Sequence, residues 1–316
     1  MDKNEKMMVS IAMLTYNHEK YISQAIESVL AQEMPFTFEI VIGDDCSQDK
    51  TREVIMKYAN EYPGIFNLIF NTENVGATSN SYNILKNCRG KYIAFLEGDD
   101  YWTDSQKLYR QIMFLEKEPD YSGTAHEYKM IDNEGNVYKH RSFHGIYGYK
   151  QFRWGLLPGQ TGTLCFRNFI QDHKDSYEIV KKASTYIGDR TIVLLMLLHG
   201  KVYCFNKSMS VYRVFSSKDA WSNKLGKGNK SINPNYNDMF YYCKLTQYSE
   251  EHWNKRVSML ANKAYCVYSA LSWYLKDKTE KNKSILKMTY KLYDENKILL
   301  FLCCVYLTVR DTLNRQ

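Results

Sequence analysis

Several patterns that would assign this sequence to a familiar class are absent. No GxGxxG segment follows a predicted strand, Gly90-Lys91 lacks the upstream glycine of a P-loop, and the histidines never form an HExxH pair. Residues 298–309 form an apolar run, but it is shorter than the roughly 20 residues that span a membrane. No clustered base-reading or stacking residues stand out. Dinucleotide enzymes, P-loop enzymes, HExxH zinc proteases and nucleic-acid partners are therefore not expected.

Paired cysteines and a secretion signal are also missing. The eight cysteines are scattered without CxxC pairs, which is typical of reduced core residues in a cytoplasmic protein. No apolar signal-peptide core follows the polar residues Asp2 to Lys6. With 44% hydrophobic and 24% charged residues, the chain has the composition of a folded protein. We therefore expect a folded cytoplasmic protein.

The first hundred residues alternate strand and helix patterns, which predicts a mainly parallel α/β sheet. The strands are expected at Val9–Thr15, Phe38–Gly43, Phe66–Phe70 and Lys91–Leu96. Apolar residues at helical spacing lie between them, and Asn17 is a plausible N-cap of the first helix. Farther along, residues 121–138 suggest a hairpin, and residues 202–205 and 209–214 suggest two paired strands.

Polar residues follow each of the four strands. These segments are Thr15-Tyr16-Asn17, Asp44-Asp45, Asn71 to Asn74, and Glu97-Gly98-Asp99-Asp100. In parallel α/β sheets, ligands bind beyond the carboxyl ends of the strands. The alternative is that the aspartates only cap helices or fill turns, where Asp is common. Two acidic pairs after neighbouring strands favour the ligand site.

Five stretches occur in a characteristic order. They are VSIAMLTYNHEKYISQAIESVLAQ from Val9, EIVIGDDCSQDKT from Glu39, NVGATSNSYNILKNCRGKYIAFLEGDDYW from Asn74, KLYRQIMFLEKEPDY from Lys107 and GDRTIVLLMLLHGKVYCFNKSMSVYRV from Gly188. Together they span roughly residues 9–222 and resemble family 2 glycosyltransferases, inverting enzymes of the Rossmann-like GT-A fold. The resemblance implies a mainly parallel sheet flanked by helices, with a donor site in the first hundred residues.

The resemblance also implies roles for residues on the donor side. They are Thr15, Tyr16, Asp45 and Asn74 as contacts of the nucleotide-sugar donor, and Asp99 as donor contact and ligand of Mn²⁺ or Mg²⁺. A carboxylate accepts the imide hydrogen of uracil well, and an aromatic ring offers a stacking face. Two phosphates do not attract an acidic cluster, so a hard cation must lie between them. The acidic motif reads Glu97-Gly98-Asp99, where the family usually has Asp-x-Asp, and this leaves the role of Glu97 open.

On the acceptor side, Asp189 matches the position of the family's general base. The alternative is an N-cap of the helix that ends before Gly200, since Asp often caps helices. Arg213, in a YR motif, resembles a phosphate- or acceptor-facing position of the family and is assigned to donor binding, and a surface cation at a strand end is the alternative. By resemblance, Gln160 and Thr163 line the acceptor cleft.

The predicted organisation is a GT-A domain over residues 1–221, with a donor half at about 1–102 and an acceptor half at about 103–221. A linker follows at 222–235, and then a helical extension at 236–316. Residues 222–316 contain 16 Lys and Arg against 8 Asp and Glu, whereas the rest has 26 against 27. This basic region favours either peripheral contact with an anionic membrane surface or packing on the catalytic domain.

The expected function is transfer of a sugar, with inversion, from a UDP-sugar to a glycan or lipid-linked saccharide in surface-polysaccharide synthesis. Two alternatives stay open. A nucleotidyltransferase would be expected to carry a Gly-rich basic loop after the first strand, where this chain has Thr15-Tyr16-Asn17-His18. A non-catalytic sugar-nucleotide or glycan-binding module would keep the donor residues without a base.

Overall fold

The computed structural model describes residues 8–140, 142–169, 177–183, 188–214 and 234–313. The chain divides into two compact units, Met1–Tyr147 with Leu157–Lys227, and Gly148–Leu156 with Gly228–Gln316. The second unit includes residues 148–156, which the sequence division placed within residues 1–221. Residues 222–233 of the predicted linker lie outside the described residues.

A mixed sheet with flanking helices forms the first unit, and its first four strands are parallel. These strands are β1 (Val9–Thr15), β2 (Phe38–Asp44), β3 (Phe66–Phe70) and β4 (Tyr92–Glu97). The helices between them are α1 (Ile22–Leu30), α2 (Thr51–Glu61) and α3 (Ala77–Asn87). The predicted α/β fold is confirmed, and β1 and β4 are almost wholly buried because they lie in the middle of the sheet.

The second half of the sheet contains parallel and antiparallel pairs. Its strands are β5 (Tyr101–Trp102), β6 (Tyr121–Ile131), β7 (Val137–Tyr138), β8 (Gly145–Tyr147), β9 (Cys165–Arg167) and β10 (Lys201–Arg213). The helices of this part of the chain are α4 (Lys107–Lys117), α5 (Tyr149–Arg153), α6 (Glu178–Ala183) and α7 (Asp189–His199), of which α5 belongs to the second unit. The strand order is β3-β2-β1-β4-β9-β6-β10-β5, with β7 beside β6 and β8 beside β10.

Close packing of helices against β1, β2 and β4 fixes the frame of the sheet. Ile22, Ala25, Ile26 and Val29 of α1 are fully buried, as their helical spacing predicts. At Gly43 in β2, a Cβ atom would lie 2.4 Å from Asn80 Oδ1 of α3, so only glycine allows this helix to approach. The carboxyl ends of the strands are thereby held in a fixed arrangement.

The second unit is helical, as predicted for the end of the chain. Besides α5 it contains α8 (Pro234–Trp253), α9 (Leu260–Lys276), α10 (Glu280–Leu292) and α11 (Lys297–Leu313). Lys263 of α9 is fully buried and donates to Thr246 Oγ1 at 3.1 Å and to Asp294 Oδ1 at 2.5 Å. No helix in the described ranges is long and apolar enough to cross a membrane.

Candidate functional site

The candidate site lies at the carboxyl edge of the parallel strands. The register pairs Thr15 of β1 with Asp44 of β2, and the following loops are tied to each other. The amide of Asn17 donates to Ser47 Oγ at 2.9 Å, while Asn17 Oδ1 accepts from the amide of Gln48 at 2.8 Å. Asn17 has a φ of 56°, which asparagine tolerates better than most residues. The loops after β1 and β2 are therefore hydrogen-bonded to each other along this edge.

The side chain of Asp45 is buried and organises the loop after β3. Its Oδ1 accepts from the amide of Val75 at 2.8 Å and from Asn71 Nδ2 at 3.2 Å, and its Oδ2 accepts from the amide of Gly76 at 2.9 Å. A carboxylate has about four acceptor positions. Asp45 thus has a structural role in the loop and retains acceptor capacity for a ligand.

The other predicted donor-binding residues lie in or near these loops, and they differ in how far they are exposed to solvent. Thr15 is 2% exposed, and its Oγ1 has no hydrogen-bond partner among the described residues. Tyr16 is half-buried directly after β1, and Asn74 is exposed in the loop before α3. A buried hydroxyl without a partner costs free energy, so a ligand that hydrogen-bonds to Thr15 would relieve this cost.

Three carboxylates meet after β4. One oxygen from each of Glu97, Asp99 and Asp100 lies within 4.8 Å of the others. Gly98 allows this turn to approach β1, since a Cβ there would lie 2.9 Å from Thr15 Oγ1 and from His18 Nδ1. His18 Nε2 in turn lies 3.7 Å from Asp99 Oδ2. The cluster is therefore built into the turn that closes the strand.

Two carboxyl groups of this cluster, those of Glu97 and Asp100, resist ionisation. Withdrawal from water, together with the charges of Asp99 and Asp189, raises the pKa of Glu97 to about 8. Burial, Asp99 and Glu97 raise the pKa of Asp100 well above its ordinary value. Loss of hydration, and then the neighbouring negative charges, thus both disfavour the ionised forms of Glu97 and Asp100.

Arg213, at the end of β10, contacts the cluster. Its backbone amide donates to Asp100 Oδ1 at 2.7 Å, and its guanidinium donates to the carbonyl of Asp99 and to Gln24. The guanidinium also lies over the rings of Tyr21 and Tyr101, at 5.0 and 4.6 Å from their centroids. Arg213 is thus fixed beside the acidic turn.

Asp189 is exposed at the first residue of α7. The N-cap of this helix is Gly188 and Asp189 lies one residue inside it, so the alternative of Asp189 as N-cap is wrong for this geometry. Instead, Asp189 Oδ1 accepts from Thr161 Oγ1 at 3.0 Å. Gln160, which precedes Thr161 in the chain, donates through Nε2 to Glu97 Oε2 and to Asp100 Oδ2, both at 3.1 Å. A single turn therefore links the predicted base to the acidic cluster.

The two predicted acceptor residues belong to this turn but face different ways. Gln160 is half-buried and contacts the cluster directly. Thr163 is fully buried, and its Oγ1 donates to the carbonyl of Gln160 at 2.6 Å. Thr163 therefore shapes the turn and does not offer its side chain to an acceptor.

The structure brings to the site several residues to which the sequence analysis assigned no role. Glu97 and Asp100 join Asp99 in the cluster, and Trp102 and Gln111 donate hydrogen bonds to the turn from behind. A signal for Gln111 was present, because it is a polar residue within the apolar face of α4. The fold-dependent approach of α4 to residues 160–163 has no such signal.

The three carboxylates of the cluster are suitable ligands for a hard divalent cation. Carboxylate oxygens are the ligands that Mg²⁺ and Mn²⁺ prefer. A divalent ion would favour the ionised form of Glu97, which burial and the charges of Asp99 and Asp189 disfavour. Among the described residues this is the one group of three or more His, Cys, Asp or Glu side chains close enough to hold a metal ion.

Several known proteins are similar to this chain. A protein of Mycobacterium tuberculosis without an assigned function is 39% identical over 213 residues, 65% of this chain and 58% of that protein. The putative teichuronic acid biosynthesis glycosyltransferase TuaG of Bacillus subtilis is 37% identical over 35% of this chain and 43% of its own length. The matched part thus covers 58% of the first relative and 43% of the second, less than two thirds of either.

Solved structures share the fold at low sequence identity. TarS residues 1–349 of S. aureus, in complex with UDP-GlcNAc, superposes with a TM-score of 0.56 at 16% identity, covering 90% of this chain and 92% of that chain. The mannosyltransferase PcManGT of Pyrobaculum calidifontis, in complex with GDP-Man and Mn²⁺, gives 0.51 at 13% identity, over 96% and 88%. These likenesses confirm the GT-A type of fold.

The family itself is decided by sequence. The family model described as glycosyl transferase family 2 matches residues 10–179, which is more than half of the 316 residues. The match includes the loops after β1 and β2, the acidic cluster and the turn at 160–163. By this match, the protein belongs to glycosyl transferase family 2.

Proposed function

We propose that this protein transfers a sugar, with inversion, from a UDP-sugar to a hydroxyl of a glycan or lipid-linked saccharide in the synthesis of a cell-surface polymer. The observation that carries the proposal is the acidic cluster joined to Asp189 through one turn, within a family 2 domain. The names of TuaG and of TarS, a poly(ribitol-phosphate) β-N-acetylglucosaminyltransferase, support this class of product.

In this proposal, the two sides of the site hold different substrates. Thr15, Tyr16, Asp45 and Asn74 contact the nucleoside of the donor. Glu97, Asp99 and Asp100 would hold Mn²⁺ or Mg²⁺, which when bound neutralises charge on the diphosphate leaving group. Arg213 adds a fixed positive charge beside the same turn.

The chemical step requires one base on the acceptor side. The carboxylate of Asp189 removes the proton of the acceptor hydroxyl as its oxygen forms a bond to the anomeric carbon. The bond between that carbon and the diphosphate oxygen breaks from the opposite face, which inverts the configuration. The proton ends on Asp189, and the electron pair leaves with the nucleoside diphosphate.

A panel of nucleotide sugars tests the donor assignment. Melting temperature is measured with each nucleotide sugar, with and without Mn²⁺, and we expect the largest rise for a UDP-sugar together with Mn²⁺. Release of UDP from that donor is then measured without an acceptor and with added saccharides. A binding module would show the thermal shift without UDP release, and a nucleotidyltransferase would release pyrophosphate from a nucleoside triphosphate.

We further propose that α11 is the element that contacts an anionic membrane surface. Ile298, Phe301, Leu302, Val305 and Val309 recur on one face of this helix and are exposed, whereas Leu300 and Leu307 on the opposite face are buried. The preceding helix, α10, contains four lysines and one glutamate, and this positive charge favours contact with anionic lipid.

Flotation with vesicles tests this contact. Phe301→Ser with Leu302→Ser should reduce binding to vesicles of phosphatidylcholine and phosphatidylglycerol about tenfold or more, because two large apolar side chains are lost. Val137→Ser, at another exposed apolar residue, is the matched control. Absence of binding by the unaltered chain, or dissociation of a dimer by the double substitution, would contradict the membrane contact.

A further inference from the structure

A fully buried lysine lies behind the turn that joins the acidic cluster to Asp189. Lys107, the first residue of α4, is 0% exposed, and within the described residues it forms no ion pair with a carboxylate. Its Nζ donates to Gln111 Oε1 at 2.8 Å and lies 3.9 Å from the centre of the Trp102 ring. The proposed reaction makes no use of this lysine.

The bond from Lys107 fixes which way the amide of Gln111 points. In its protonated form Lys107 only donates hydrogen bonds, so the oxygen of Gln111 must face it. The Gln111 nitrogen is then directed the other way, where it donates to the carbonyl of Thr163 at 2.9 Å and to Thr124 Oγ1 at 3.1 Å. Without the ammonium group, the amide could rotate and present its oxygen to the carbonyl of Thr163.

Trp102 holds the same turn from a second direction. Its Nε1 donates to the carbonyl of Gly162 at 3.1 Å, while Lys107 covers the face of its ring. A cation over an indole face is attracted by the ring, more strongly when both are shielded from water. Lys107 therefore contacts both Trp102 and Gln111, the side chains that donate hydrogen bonds to the backbone of the turn.

The front of the turn is the part that reaches the site. Gln160 Oε1 accepts from the amide of Gly162 at 2.7 Å, so the Gln160 nitrogen must face Glu97 and Asp100. Thr161 bonds to Asp189. A displacement of the carbonyls at 162 and 163 would move both contacts together.

Stability alone does not account for a lysine in this position. Burial lowers the pKa of Lys107 to about 7, which reports the free energy needed to hold the charge there. Replacing buried charges by apolar residues of similar volume is often neutral or stabilising. An apolar residue of similar volume in place of Lys107 is therefore not expected to lower the free energy of unfolding.

We infer that Lys107 is a positioning residue, which acts through Gln111 and Trp102 to hold the 160–163 turn and so the placement of Asp189 relative to the acidic cluster. The inference rests on the proposed function for its effect on turnover. Its structural part, the order of the turn, is independent of that function.

Lys107→Met tests the inference, with Lys263→Met as the matched control because Lys263 is equally buried in the helical unit. Lys107→Met should leave the melting temperature unchanged or higher, and the KM for the best UDP-sugar of the panel unchanged. Its kcat for UDP release should fall roughly ten- to hundredfold, as small misplacements at reacting groups do. Lys263→Met should lower the melting temperature, because it leaves Asp294 without its buried partner, and should keep kcat.

Hydrogen exchange gives a readout that does not need activity. Amides of residues 160–164 should exchange faster in Lys107→Met, while those of β1 should not change. Gln111→Leu should act like Lys107→Met, and the double variant should lose no more than either alone. If Lys107→Met does not fold, Trp102→Phe keeps an aromatic ring in the core, removes the bond to Gly162, and should show the same exchange and kcat effects.

Unchanged exchange at 160–164, multiplicative losses in the double variant, or full kcat in Lys107→Met would overturn the inference. If the unaltered protein releases UDP from no donor in the panel, the proposed function fails. The exchange comparison then still decides whether Lys107 orders the turn.

Discussion

The two ends of the parallel strands both carry buried acidic residues, but they differ in how the charge is held. At the amino end, Glu39 of β2 is fully buried, and the Arg89 guanidinium donates to its Oε2 at 2.6 and 2.9 Å. Its Oε1 accepts from Ser10 Oγ at 2.6 Å and from the amide of Arg89 at 2.8 Å. Both oxygens of this carboxylate are thus stabilised by donors within the fold.

The carboxyl end shows the opposite balance. Glu97, Asp99 and Asp100 lie against one another, and the pKa values of Glu97 and Asp100 are raised. The difference teaches that burial of an acid does not by itself indicate function. A carboxylate paired inside the fold stabilises it, whereas a group of carboxylates that repel one another leaves a place for a cation.

The largest expected effect comes from Asp99→Asn, which removes one charge and almost no volume. We expect Mn²⁺-dependent binding of UDP to fall below detection in isothermal titration, because the cation loses an anionic ligand. The melting temperature without metal should stay the same or rise, since repulsion in the cluster is reduced. Asp120→Asn, at an exposed aspartate in the same unit, is the control. Unchanged affinity for UDP with Mn²⁺ would count against the metal site.

Asp189→Asn should have the next largest effect and act on turnover alone. Transfer should fall about 10²-fold or more, because positioned proton transfer typically contributes about 10² to 10⁴. Affinity for the donor and the melting temperature should barely change, since Asn keeps an oxygen to accept from Thr161. Near-normal turnover, measured as UDP release with acceptor, would leave Asp189 with a purely structural role.

The parallel half of the sheet could be predicted from sequence because the signal there is local. The strands at Val9–Thr15 and Phe66–Phe70 match the prediction residue for residue, since continuous apolar runs end at polar loops. The N-cap expected at Asn17 was wrong. The first helix begins at Ile22, and the Asn17 side chain instead bonds to the loop after β2, a partner distant in sequence.

The second half of the sheet could not be predicted fully from sequence, because its strands depend on tertiary contacts that a local pattern does not contain. Residues 202–205 and 209–214 were predicted as two paired strands, because polar Asn206 to Ser208 interrupts the apolar pattern. They form the single strand β10, and its register shifts between Phe205 and Ser208 accommodate the polar residues. The acidic cluster was visible in sequence, whereas the support of the 160–163 turn by Trp102 and by Gln111 of α4 depends on tertiary packing.

Arg89→Met tests the amino end of the comparison. It leaves the buried Glu39 without its ion pair, which should lower the free energy of unfolding by about 1 to 3 kcal/mol. Turnover at temperatures where the protein is folded should be unchanged, because this end lies opposite the site. Denaturant unfolding and UDP release measure the two quantities. A loss of turnover without a loss of stability would reverse the roles that we assign to the two ends.

The smallest expected effect is a pH dependence of metal stabilisation, which sharpens the contrast between Glu39 and Glu97. The folded pKa of Glu97 is about 8 against an ordinary value of 4.5, so the folded protein binds this proton more tightly than the unfolded chain between those pH values. Stability from this group is therefore present below about pH 4.5 and lost as pH rises toward about 8.

Mn²⁺ competes with the proton on Glu97. The rise in melting temperature that Mn²⁺ causes should therefore be larger near pH 8 than near pH 6. Glu97→Gln removes the titrating group and should make the two rises more nearly equal, whereas Arg89→Met should leave the pH dependence of the metal effect intact. Differential scanning fluorimetry with and without Mn²⁺ measures these shifts. Equal rises at both pH values in the unaltered protein would mean that the cation does not replace a proton on this cluster.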